Sequence, residues 1–65
     1  MTESKAYGGT YTYEGHDVHF RIQENGITME ILETKDGSVV KEVVMNIADA
    51  VDYQDQLLDW GYTSY

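Results

Sequence analysis

The chain contains no cysteine. That excludes disulfides and any thiolate metal site, and it fits a reducing, cytoplasmic setting. Basic residues are scarce too: four Lys/Arg stand against twelve Asp/Glu, a net charge of −8. Lys5, Arg21, Lys35 and Lys41 are scattered singly. A nucleic-acid-binding face must concentrate positive charge to displace counterions from phosphates. Direct nucleic-acid binding is therefore not expected, nor is binding to an anionic membrane. No apolar run approaches the ~20 residues of a membrane span. The opening stretch, MTESKAYGGT, carries neither the basic nor the apolar region of a secretory signal, so a cytoplasmic location is the expectation. There is no glycine-rich phosphate loop, no internal repeat, no linker and no low-complexity segment; Tyr7-Gly8-Gly9-Thr10 reads only as a flexible lead-in.

Length is the other scarcity. Sixty-five residues make a single small domain, with 1–7 expected to fray. Burial in so short a chain roughly balances an ordering cost of about 1.5 kcal/mol per residue. With disulfides excluded, self-association or a partner is the expected source of extra stability.

The strongest local pattern runs from His16 to Thr34, HDVHFRIQENGITMEILET. Two alternating runs flank Asn25-Gly26, which predicts a β-hairpin closed by a type I′ turn. The register sets Ile22 against Met29, Phe20 against Ile31 and Arg21 against Glu30, the last an opposite-charge pair. Upstream, Thr10-Tyr11-Thr12-Tyr13 alternates strand-forming residues. Gly15-His16 fits a two-residue type II′ loop that sets Tyr13 against Val18 and Tyr11 against Phe20. Every apolar side chain then falls on one face.

Downstream, Lys35-Asp36-Gly37-Ser38 is a third turn, and Val39-Val40-Lys41-Glu42-Val43-Val44-Met45 is apolar in pairs. A two-residue Asp-Gly loop turns Val40 and Val44 inward around Glu42. A three-residue loop with a glycine bulge turns Val39, Val43 and Met45 inward around Lys41. Both registers place one charge inward, which protects an edge strand. In either register valines also fall on the outer face, where they join Leu32 in an apolar patch, and such patches mark interfaces.

Asn46 is a helix N-cap, with Asp49 three residues on. Ile47, Ala50, Val51, Leu57 and Leu58 form an apolar stripe that Gln54 interrupts and Tyr53 and Trp60 flank. Gly61 is a C-terminal stop, followed by a short tail with a tyrosine able to fold back. The predicted fold is α+β: a four-stranded antiparallel meander over about 9–14, 17–24, 27–34 and 39–45, with one C-terminal helix over about 47–60 packed on one face. The alternative leaves the tyrosine segment out, as three strands and a helix.

Four groups of residues could carry function. Asp49, Asp52, Asp55 and Asp59 recur in steps of three and four, and no Lys or Arg follows Lys41. Either the row is a solvated helix face, or it meets a basic surface on a protein partner. The extreme form of the second reading is an inhibitor that imitates DNA phosphates before a nucleic-acid-handling protein. Leu32, Val39 and Val43 are the candidates for self-association as a homodimer. His16 and His19, with Glu14 and Asp17, hint at a metal or ligand site, but residues three apart on a strand face opposite ways, so neither a metal nor a cofactor is assigned. The aromatic residues read as core packing, with Tyr53, Trp60, Tyr62 and Tyr65 as possible anchors at an interface. Ser4, Ser38 and Ser64 lie in tails or a turn with no histidine beside them, and a thin sheet offers carboxylates such as Glu30 and Glu33 no dry pocket. The expectation is a non-enzymatic, acidic protein-binding module.

Overall fold

The structure, a computed structural model, describes residues 9–64. The segment expected to fray and the terminal Tyr65 lie outside the described residues. Alternation and turn chemistry produce β1 (Gly9–Tyr13), β2 (His16–Ile22), β3 (Thr28–Lys35) and β4 (Ser38–Asn46), followed by α1 (Ile47–Asp59) and a short β5 (Thr63–Ser64). All neighbours are antiparallel, in the order β4-β3-β2-β1-β5. The antiparallel sheet and C-terminal helix are as expected. The fifth strand is not, and it arises where α1 stops.

That stop is a Schellman motif. Gly61 sits at φ 103°, its N–H donates to the Leu58 carbonyl (3.1 Å), and the Tyr62 N–H donates to the Leu57 carbonyl (3.0 Å). The chain reverses there, and Thr63 pairs with Thr12 on the edge of β1. At the other end of α1, Asn46 Oδ1 accepts from the Asp49 N–H (2.9 Å), the anticipated cap.

Three turns differ in detail from the sequence reading. The β1–β2 loop is Glu14-Gly15, both at positive φ (49° and 83°), not Gly15-His16. Tyr11 therefore opposes Val18, and Tyr13 opposes His16. The change of two residues preserves which face each side chain takes, so the apolar pattern could not reveal it. The β2–β3 hairpin keeps the expected register, Ile22 to Met29 and Arg21 to Glu30. Its loop is longer than a type I′ turn: the Gln23 N–H donates to the Thr28 carbonyl (3.0 Å), and only Gly26 in the loop has positive φ. Asn25 Oδ1 accepts from the Ile27 and Thr28 N–H groups (2.9 and 3.0 Å), which favours this wider loop.

The β3–β4 connection combines both alternatives for the fourth strand. Asp36-Gly37 is a two-residue loop, and a bulge opposite Glu33/Thr34 then absorbs Val40. Thr34 pairs with Val39, Glu33 with Lys41, Ile31 with Val43 and Met29 with Met45. Val43, Met45 and Lys41 thus lie on the inner face, and Val39 on the outer.

The core between sheet and helix is Val18, Phe20, Met29, Ile31, Ala50 and Leu57. Tyr11 meets Phe20 edge-on at 5.5 Å, and Tyr53 reaches Phe20 at 5.9 Å. Leu58, expected in the helix stripe, is half exposed, while Gln54 is buried. Gly61→Ala should lower stability by about 1–2 kcal/mol, the cost of a left-handed non-glycine residue, because its Cβ also lands 3.4 Å from the Tyr13 ring. A reduced urea midpoint, with faster amide exchange at Thr63 and Ser64, is the expected result.

Candidate functional site

Along β3 the inward positions are Met29, Ile31 and Glu33. The third is a carboxylate, and it is 5% exposed. Burying such a charge is costly without partners, and the fold supplies them from three directions, with Tyr62 bracing one of them. Tyr53 on α1 donates its hydroxyl to Glu33 Oε2 (2.5 Å). His16 Nε2, at the start of β2, lies 3.1 Å from Oε1. Lys41, across the β3–β4 ladder, places Nζ 3.7 Å from Oε2 and 5.6 Å from the Tyr53 ring centre. Tyr62, turned back by the Schellman motif, bonds its hydroxyl to His16 Nδ1.

A carboxylate only accepts, so a hydrogen bond from His16 to Glu33 requires the hydrogen on Nε2. In neutral His16, Nδ1 then accepts from Tyr62. The Tyr53 phenol is pushed well above its ordinary range by burial first, then by its bond to Glu33 and the charges of Glu33 and Tyr62. Tyr62 shifts upward as well, through burial and then the charges of Glu33 and Tyr13. The cluster opens on a shallow groove of about 370 Å³ lined by Tyr13, Glu14, His16, Lys35, Val40 and Tyr62.

The acidic helix face is where the sequence placed it: Asp49, Asp52, Asp55 and Asp59 are all exposed on α1. Every cation among the described residues is engaged elsewhere. Arg21 meets Glu30 at 2.8 Å, Lys41 sits by Glu33, and Lys35 Nζ donates to the Glu14 carbonyl at 2.9 Å. Beside the aspartates, Leu58 is 49% and Trp60 59% exposed.

The self-association residues are not brought together. Leu32 and Val39 lie on the outer face, whereas Val43 packs against the core because the bulge reverses the faces beyond Val40. Val44, opposite Glu30, is the valine that faces outward beside Leu32. His16 and His19 point to opposite faces, and among the described residues no group of three or more His, Asp or Glu is placed to hold a metal ion. Asp17 accepts from the Thr12 hydroxyl (2.6 Å), and His19 Nδ1 lies 3.1 Å from Thr10 Oγ1.

The Glu33 cluster was missed, although two signals for it were present. The correctly read hairpin register already put Glu33 inward, and one of the two readings of the fourth strand put Lys41 inward. No family model matches the chain, and neither a curated protein nor a solved structure matches it. No helix among the described residues is long and apolar enough to cross a membrane.

A group whose pKa rises on folding contributes its stability in full below its unfolded value, near 10 for Tyr53, and loses it as pH climbs from there through the folded value. Stability should therefore fall above about pH 10. Tyr53→Phe should cost about 1–3 kcal/mol at neutral pH, by leaving Glu33 short of a donor, and should flatten that alkaline decline. Urea unfolding at a series of pH values measures both effects.

Proposed function

We propose that this chain is a small, non-enzymatic protein-binding module that sets the aspartate face of α1 against a basic surface of a protein partner in the cytoplasm. One observation carries the reading: no cation among the described residues approaches the aspartates, because Arg21, Lys35 and Lys41 are all committed elsewhere. Like charges three and four apart repel, and Asp59 opposes the helix dipole at the C-terminal end. The row therefore works against helix stability, and a cationic partner would relieve it.

The neighbouring side chains support the same reading. Trp60 and Leu58 are large, exposed and adjacent to the row, and tryptophan is among the residues that dominate binding energy at interfaces. The four aspartates span about 15 Å of helix axis. That is roughly one charge per 5 Å, against ~3.4 Å along one strand of B-DNA. A nucleic-acid-handling protein whose basic surface is occupied in this way would be inhibited, and the module would act as a DNA mimic.

The test is capture from the native host's lysate on immobilised protein, at low salt, beside a variant with all four aspartates changed to Asn. A specific partner should be held by the wild type, released as salt rises from about 0.05 to 1 M, and lost with the variant. The same variant should unfold at higher urea, since the repulsion within α1 is gone. A partner retained equally by both proteins, or unmoved at 1 M salt, would refute the assignment of the acidic face.

A further inference from the structure

The helix covers one face of the sheet; among the described residues nothing covers the other. We propose that this open face is a two-fold interface between copies of the chain, centred on Leu32.

The register supplies the argument. Leu32 on β3 is flanked by Glu42 on β4 and His19 on β2. In the next row, Glu30 is flanked by Val44 and Arg21. A two-fold axis running along β3 exchanges the places of β2 and β4. It lays Leu32 on Leu32 of the second copy and sets each Glu42 over the other copy's His19. His19 Nδ1 is taken up by Thr10 at 3.1 Å, which leaves Nε2 for that carboxylate. The same operation places each Arg21 over Val44 of the other copy. Val44 is half exposed, and the arginine stem can cover it. Glu30, which the axis brings near its own copy, is neutralised by Arg21 at 2.8 Å.

Around Leu32 the outer face forms a hollow of about 250 Å³ lined by His19, Arg21, Glu30 and Glu42. An apolar centre with an acid on one side and an imidazole on the other is complementary to itself, and to little else on so acidic a protein. Both copies keep α1 on their far sides, so the two aspartate rows point away from each other. β4 is the sheet edge, so this axis overlaps only β2, β3 and β4 of the two copies; three strands ~4.8 Å apart make a face of roughly 15 Å by 25 Å. That falls below the ~800 Å² per partner of a standard stable interface. The dimer is therefore weak and reversible.

Sedimentation equilibrium over about 1 µM to 1 mM tests this on the purified full chain. The wild type should pass from monomer to dimer. The association should hold or tighten as salt rises, because salt screens the repulsion between two chains of net charge −8. Binding through the aspartate row responds to salt in the opposite sense, so either association can fail without the other. Leu32→Glu should weaken the dimer at least tenfold while circular dichroism and the melting curve stay native. His19→Glu and Glu42→Lys, each alone, should weaken it, and the two together should restore it by exchanging the acid and its partner across the axis. This swap also decides the matter if the Leu32 variant does not fold. A constant monomer mass across the range overturns the proposal. So does a dimer insensitive to Leu32→Glu in a folded protein, or a double variant no tighter than either single one.

Discussion

The structure turns on a buried carboxylate. Glu33 lies in line with Met29 and Ile31, where another apolar residue would fit the strand. An unpaired charge there would cost several kcal/mol, a large fraction of what so small a domain can hold in reserve. The fold meets that cost with three partners: Tyr53 from α1 donates its hydroxyl, and His16 from β2 and Lys41 from β4 set their nitrogens beside the carboxylate. Tyr62 adds a fourth attachment through His16. Such an arrangement contributes little net stability relative to an apolar core. Its effect is positional. Helix and sheet meet at the carboxylate and the C-terminal segment reaches it through His16, so the cluster ties α1 and the chain after Gly61 to one point of the sheet.

Much of this order was legible in the residues, and the unread part has a common cause. Four strands, the helix, the Asn46 cap, the Gly61 stop and the β2–β3 register all rest on local patterns and match the structure; the two-residue β5 follows no such pattern and was not expected. The other errors are displacements that those patterns do not resolve. Moving the first loop from Gly15-His16 to Glu14-Gly15 changes the pairing by two, and two residues return every side chain to the same face. The fourth strand has the opposite difficulty. One residue of bulge at Val40 exchanges the faces, so Val43 went to the core and Val44 to the surface. Paired valines alternate equally well either way, and only the long-range match of Lys41 to Glu33 decides between them.

That match explains why the candidate site was harder to read than the fold. Taken one at a time, Glu33, Lys41, His16, Tyr53 and Tyr62 are ordinary surface-type residues spread over 47 positions, from 16 to 62. No spacing rule connects them. Their connection is topological: β2, β3 and β4 are neighbours, α1 crosses above, and the Schellman motif brings the tail back. The inward position of Glu33 was deducible from the hairpin alone. Its significance lies in what a carboxylate on an apolar face demands, which is partners from neighbouring elements.

The interior cluster also bears on the exterior. A chain with four Lys/Arg has few cations to place. One goes to the buried carboxylate, one to Glu30 across the open sheet face, and one to the Glu14 carbonyl at the turn. His16 is spent on the same carboxylate. None of these pairs with the aspartates of α1, which face water without a counter-charge from the described residues. The acidity of the helix is thus not a property of the helix alone. It follows from where the core and sheet have drawn the few positive groups, and it leaves the molecule with three distinct surfaces: an acidic helix, a sheet face whose charges pair among themselves, and a tyrosine-lined groove over the cluster.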